Sequence, residues 1–352
     1  MSAGYVYLLR ERDFLSGQVG PYLKIGLTER EVGKRIKEHQ TGNAREVFSI
    51  YEKRVTYMSK METYLHHYYS SERINGEWFD LNDERVQSEI IPLIEKLNDE
   101  QAILLTNNSF SESYNNSPDN GLMRDPNQDE ERLFVEYKTV DEALILAKAR
   151  NKIHDLQLRN LIADTGGIHG VISLNKKSQS NYFNKASFIK SLSPTEFSLC
   201  HHDGLEFNSK IKFASATNIK SLEPDIQNLL KAEEELLKAN PMVIEDLSKS
   251  LSSRSAEAEN IHAEYLSSRK LLKSLQWDKE LLTSQLLSKL GNDREIKGVV
   301  SWVRENIEVK DKWCLKSARE HLSEKVANYT SNRPDIVAVE IADGRCYKLA
   351  KT

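Results

Sequence analysis

Cysteine is nearly absent: Cys200, Cys314 and Cys346 are the only three in 352 residues. An odd, scattered set gives neither a disulfide framework nor a zinc knuckle, and it suits a reducing compartment, so the cytoplasm is the expected location. Cys200, His201 and His202 are consecutive, and neighbours on an extended chain point to opposite faces, so no structural zinc is expected there. Long apolar runs are also missing. Nothing approaches the roughly 20 residues that span a bilayer, which leaves no membrane partner in view. The opening MSAGYVYLLRERD carries a strand-like apolar pattern without a basic leader region, and so predicts no secretion signal. Nor is there an excess of positive charge. With 49 Lys+Arg against 53 Asp+Glu the net charge is −4, so any nucleic-acid surface has to be local. No internal repeat is visible.

What is present is a composition of 39% hydrophobic and 29% charged residues, in a chain long enough for two or three domains at about 150 residues each. Residues 1–104 read as a compact α/β unit. YVYLLR and YLKIGL are strand runs joined by a loop with Gly17, Gly20 and Pro21. TERE, from Thr28 to Glu31, predicts a capped helix that stops near Gly42-Asn43. VFSIYEKRV gives a third strand, and SKMETYLHHYY a second helix opened by Ser59 with Glu62. GEWFDL and a closing helix around RVQSEIIPLIEKL follow, with Pro92 as a kink.

Residues 105–132 are rich in Asn, Ser, Asp, Pro and Gly and poor in large apolar side chains, which predicts a flexible linker and an independently folding first unit. A helix capped by Thr139 with Glu142 and a strand at GIHGVISL begin a small α+β module over 133–220. The remainder, 221–352, reads as mainly helical with a break at Asn240-Pro241, and ends in a β pair, DIVAVEIA with RCYKLA. Its leucines suit a long amphipathic helix that offers a homo-oligomer contact, without a clean heptad. The predicted fold class is α+β: a small three-stranded antiparallel sheet flanked by helices, then the helical region with its α+β module.

The chemistry concentrates in the first unit. Arg35 and His39 are four apart on one predicted helix and so share a face, aimed at a strand punctuated by Gly26. Hydrolysing a phosphodiester requires cationic groups where negative charge develops and a water deprotonated in line with the leaving group. Arg35, always charged and able to bind two oxygens, suits the phosphate clamp, and His39 suits phosphate donation or proton transfer. Each residue also has a bland reading: a solvated helix face for Arg35 and His39, a cap for Glu62, ordinary strand tyrosines at Tyr5 and Tyr7.

GYVYLL at 4–9, KIG at 24–26, KRIKEH at 34–39, Glu62 and NGEWF at 75–79 together resemble the GIY-YIG endonuclease superfamily. The likeness is to its phage and mobile-element branch, with KIG where YIG gives the family its name, and it covers about residues 3–82. It implies a nuclease that cleaves DNA with Mg²⁺ or Mn²⁺. Tyr7 matches the tyrosine acting on the nucleophilic water, and Lys24 replaces the second motif's tyrosine, assisting a base or binding phosphate. Glu62 matches the metal ligand, and one carboxylate with several waters is an ordinary magnesium arrangement. His66 lies one turn beyond Glu62, and Asn75 and Glu77 both fall where the family carries a supporting polar residue. Phage competition, host defence and intron mobility are all compatible settings. A catalytically silent DNA-binding regulator and a structural assembly subunit are the alternatives.

Within 171–220, seven lysines, among them Lys176, Lys177, Lys185 and Lys190, face three carboxylates and alternate with six aromatics. That pattern reads either as a DNA-contacting surface or as a small aromatic core with solvated lysines. The segment from Leu271 onward faintly resembles the accessory, non-catalytic part of viral recombination exonucleases, with no site residue implied.

Overall fold

The computed structural model describes residues 3–162, 165–214 and 223–345. Lys220, Cys346 and nearly all of the expected strand RCYKLA lie outside the described residues. The chain is an α+β protein of helices and chiefly antiparallel sheets. Among the described residues, no helix is long and apolar enough to cross a membrane.

The first unit contains β1 (Gly4–Arg12), β2 (Tyr22–Thr28), α1 (Val32–Gln40), β3 (Glu46–Val55), α2 (Met58–Tyr68), β4 (Arg73–Asn75) and β5 (Trp78–Asp80). Its sheet has five strands in the order β3-β1-β2-β5-β4, where three were expected; the two extra ones come from a hairpin turning at Gly76. β1 is central, and its alternation serves two cores. Val6 and Leu8 point into the main core with Met61 and Leu65 of α2. Tyr7 and Leu9 point to the opposite face, against Val32 of α1 and Val47 of β3.

Two expected caps do not form. Thr28 is the last residue of β2, paired with Tyr5 across the ladder, so α1 starts only at Val32. α2 starts at Met58, leaving Ser59 inside its first turn. Its preceding backbone is satisfied from afar: buried Gln101 accepts from Tyr57 N at 3.4 Å and donates to Tyr57 O at 3.3 Å. Glu62 is thereby released from any capping role.

After α3 (Asp83–Arg85), a π-helical stretch over Val86–Ile90 leads into α4 (Ile91–Glu112). Pro92 sits at the start of α4, where its missing N–H is tolerated, and the looser turn before it accommodates the ring. The expected linker is therefore helical up to Glu112. Beyond it, β6 (Met123–Arg124) pairs in parallel with β11 (Glu295–Ile296). Asp119 N donates to Arg304 O at 2.9 Å, and Arg124 grips Glu130 through two 2.8 Å bonds. Polar side chains that suggested a linker are used in further bonds, Asn107 to Ser284 and Asn120 to Asp293. α5 (Gln128–Asn160) is capped by Asn127 with Glu130, so Thr139 lies mid-helix and bonds Val135 O.

The expected boundary at 220 does not separate two modules, because strands on its two sides pair in a nested order. β8 (Ile172–Lys177), which also pairs with β7 (Gly167–Ile168), takes β14 (Ile336–Ile341). β9 (Tyr182–Phe183) takes β13 (Thr330–Ser331), and β10 (His201–Phe213) takes β12 (Val300–Trp313). Short helices α6 (Lys185–Ser191), α7 (Pro194–Leu199), α10 (Leu315–His321) and α11 (Ser323–Asn328) gather near β9 and β10. α8 (Pro224–Ala239) precedes α9 (Ala256–Leu290), the spine of the molecule, about 50 Å long at 1.5 Å per residue. Leu266, Leu282, Leu286 and Leu290 of α9 are buried inside this chain, which removes them from the expected homo-oligomer contact. Trp277 of α9 belongs to the core of the first unit, 5.4 Å from the Tyr64 ring.

Candidate functional site

Tyr7, Lys24, Arg35 and His39 gather from β1, β2 and α1, and Glu62 of α2 and Glu77 of the β4–β5 turn come near enough to act on them electrostatically, as His66 of α2 does on Glu77. Strand alternation and the ladder place the first two. Tyr7 lies directly across from Gly26, and a methyl at Gly26 would stand 2.5 Å from the Tyr7 hydroxyl. Glycine is therefore what lets the tyrosine ring lie over β2. The Tyr7 hydroxyl is 3.3 Å from His39 Nε2, and Arg35, one turn before His39, is beside it.

The electrostatics distinguish the groups. Burial raises the Tyr7 pKa, with Arg35 partly offsetting it, so this tyrosine is a neutral hydrogen-bond donor near pH 7. Burial and the positive charges of Lys24 and Arg35 lower His39, leaving a neutral imidazole able to accept a proton. Arg35 is held by Glu38 at 2.9 Å, and Glu38 also binds Arg30. Lys24, 8% exposed, donates to Glu77 and lies 5.7 Å over the Trp78 ring. Burial opposes ionisation of Glu77, but the Lys24 hydrogen bond and charge outweigh it and hold that carboxyl below its usual range.

Glu62 is the exception. Burial, then the charge of Glu77, push its pKa up to about 7. His66 Nε2 is 4.0 Å from it, but that nitrogen donates to Ile25 O at 2.8 Å, and burial keeps His66 neutral near pH 7. Among the described residues, no cation forms an ion pair with Glu62. A half-buried carboxylate next to a second one, with Lys24 and Arg73 near but not paired to it, suits a hard divalent cation that keeps most of its waters. No group of three candidate ligands exists among the described residues, so such an ion would rest on Glu62 with water.

Of the two polar candidates in the hairpin, Glu77 reaches Lys24, whereas Asn75 is exposed and its side chain has no hydrogen bond among the described residues. Two participants were not foreseen: Glu38, which steadies Arg35 from the next turn, and Arg73 of β4. Arg73 lies near Glu62 and is bound by Asp343 from the far end of the chain. The spacing of Glu38 three residues after Arg35 is a signal the sequence offers; Asp343 has none.

The lysines assigned to DNA lie on separate packing units. Lys176 and Lys177 end β8, and Lys176 is bound by Asp335 at 2.9 Å. Lys185 and Lys190 are on α6, where Lys185 stacks 5.4 Å over Trp313. Phe183 and Phe188 pack with Trp313 and Tyr329, and Phe213 stacks on Tyr137, so three of the six interleaved aromatics serve as core, while Tyr182 and Phe207 are exposed. Cys200 is buried, His201 bonds Phe197 O and His202 bonds Glu206.

No family model, characterised protein or solved structure matches the chain.

Proposed function

We propose that the first unit is a GIY-YIG-type endonuclease site that hydrolyses DNA phosphodiesters with Mg²⁺ or Mn²⁺. The observation carrying the reading is the convergence of Tyr7, Lys24, Arg35 and His39 beside Glu62, a half-buried carboxylate with no Lys or Arg ion pair among the described residues. Such a carboxylate costs stability, and a bound cation would offset that cost. Glu62 would hold the metal, which supplies charge neutralisation at the phosphate and a more acidic water when bound. Arg35 binds the phosphate oxygens as their negative charge grows, steadied by Glu38. Tyr7 orients the attacking water, and neutral His39 takes its proton through Tyr7 or directly. Lys24, fixed by Glu77, adds fixed positive charge to the pocket rather than acting as a base.

The test is nicking of supercoiled plasmid by the full chain with Mg²⁺ and with EDTA. Metal-dependent cutting that falls about 10²–10³-fold in Arg35→Ala supports the reading. Retardation without cutting points to the silent regulator. A normal rate in Arg35→Ala removes the site assignment.

A further inference from the structure

Beside His67 of α2 stand two cations of α9 that form no ion pair among the described residues. Arg269 and Lys273 are four apart on α9 and share one face. Among the described residues, neither has a carboxylate oxygen within 4.0 Å. Several cations around them are paired, Lys60 with Glu280, Lys279 with Asp141 and Arg73 with Asp343, while the adjacent Lys270 lies 4.4 Å over the Tyr68 ring. Burial and the proximity of Arg269 lower the Lys273 pKa, so the two charges crowd each other. Both also act on His67 of α2, whose pKa burial and these two cations drive down to about 4, and whose Nδ1 is buried without a partner. His67 is therefore neutral and adds no competing charge.

The path from the site is short. Glu62 and His66 face the site, and Thr63 is three residues from His66 and four from His67 on the same helix. Ser59, Lys60 and Thr63 line a groove of about 310 Å³ between α2 and α9, with Lys273, Gln276 and Glu280 on its other wall, the last of these paired with Lys60. Arg73 acts on both Glu62 and His67, and His67 is in turn acted on by Arg269 and Lys273, so the cation pair adjoins the site across one side chain.

We propose that Arg269 and Lys273 bind the DNA backbone beside the cleaved bond, making α9 a wall of the substrate site. This rests on the nuclease reading for the position of the scissile phosphate. It moves the DNA contact from Lys176 and Lys177, one of which is already paired, to two cations without an ion pair among the described residues. A polyanion supplies the charge that the pair lacks.

The test measures binding of a random-sequence duplex to the full chain in EDTA, across a salt series. Plasmid nicking with Mg²⁺ is followed separately. Arg269→Ala/Lys273→Ala is expected to lower the slope of log affinity against log salt by about 1.8 and weaken binding on the order of 50-fold at 0.1 M salt. Arg269→Lys/Lys273→Arg, which keeps both charges, retains the slope and guards against misfolding of the alanine variant. An unchanged slope in the alanine variant, or no DNA binding by the wild type, overturns the proposal. Binding that depends on the pair without any nicking upholds the α9 contact and removes the nuclease reading instead.

Discussion

Glu62→Gln is expected to stabilise the folded protein while abolishing metal-dependent cleavage. The substitution keeps size and shape and removes one charge. Burial raises the Glu62 carboxyl from 4.5 to about 7. A carboxyl that holds its proton more tightly when folded costs nothing below its ordinary pKa and its full penalty above the folded one. Stability of the wild type therefore falls as pH rises through the window from 4.5 to about 7. At 1.36 kcal/mol per pK unit that penalty is about 3 kcal/mol at pH 8, an upper figure because the side chain keeps 17% of its exposure. Spread over a chain of this length unfolding as one unit, it amounts to about 4 °C in Tm. The assay is a pair of melting curves for wild type and variant, near pH 4 and near pH 8. The variant should melt higher at pH 8 and nearly equal at pH 4. Added Mg²⁺ should raise the wild type toward the variant at pH 8 and leave the variant unmoved. A variant less stable than wild type at pH 8 refutes the reasoning, because Glu62 would then be making a structural bond.

Gly26→Ala should cost about 1–3 kcal/mol by overpacking and push Tyr7 off His39, since the new methyl would stand 2.5 Å from the hydroxyl. Melting and plasmid nicking should both fall, and unchanged values would show that the ring has room to move. Trp277→Ala should cost about 3–5 kcal/mol, because it opens the joint core with Tyr64 and deletes the 2.8 Å bond from its indole N–H to Glu100. For the same reason a 1–104 fragment is expected to melt with poor cooperativity, which calorimetry of the fragment and the full chain would reveal.

The sequence by itself determined what is periodic and local. Alternation in YVYLL sends Tyr7 to one face and Val6 and Leu8 to the other. The spacing of four puts Arg35 and His39 together whether α1 starts at Thr28 or, as observed, at Val32. Glycine opposite an aromatic was legible as a close approach once the strands were paired. Other features required the tertiary structure because they depend on partners far along the chain, which no short-range pattern encodes. Gln101 satisfies the backbone at the start of α2 and leaves Glu62 uncapped. Lys24 selects Glu77 over Asn75 because a hairpin turns one side chain inward and leaves the other in solvent. A polar stretch that reads as a linker becomes ordered when Arg304 donates to Asp119 and Asp293 accepts from Asn120 and Arg124. Above all, the pairing of β8, β9 and β10 with β14, β13 and β12 joins residues more than 85 positions apart. Hydrophobic pattern identifies such strands, but only the packing energy of the whole fold chooses their partners.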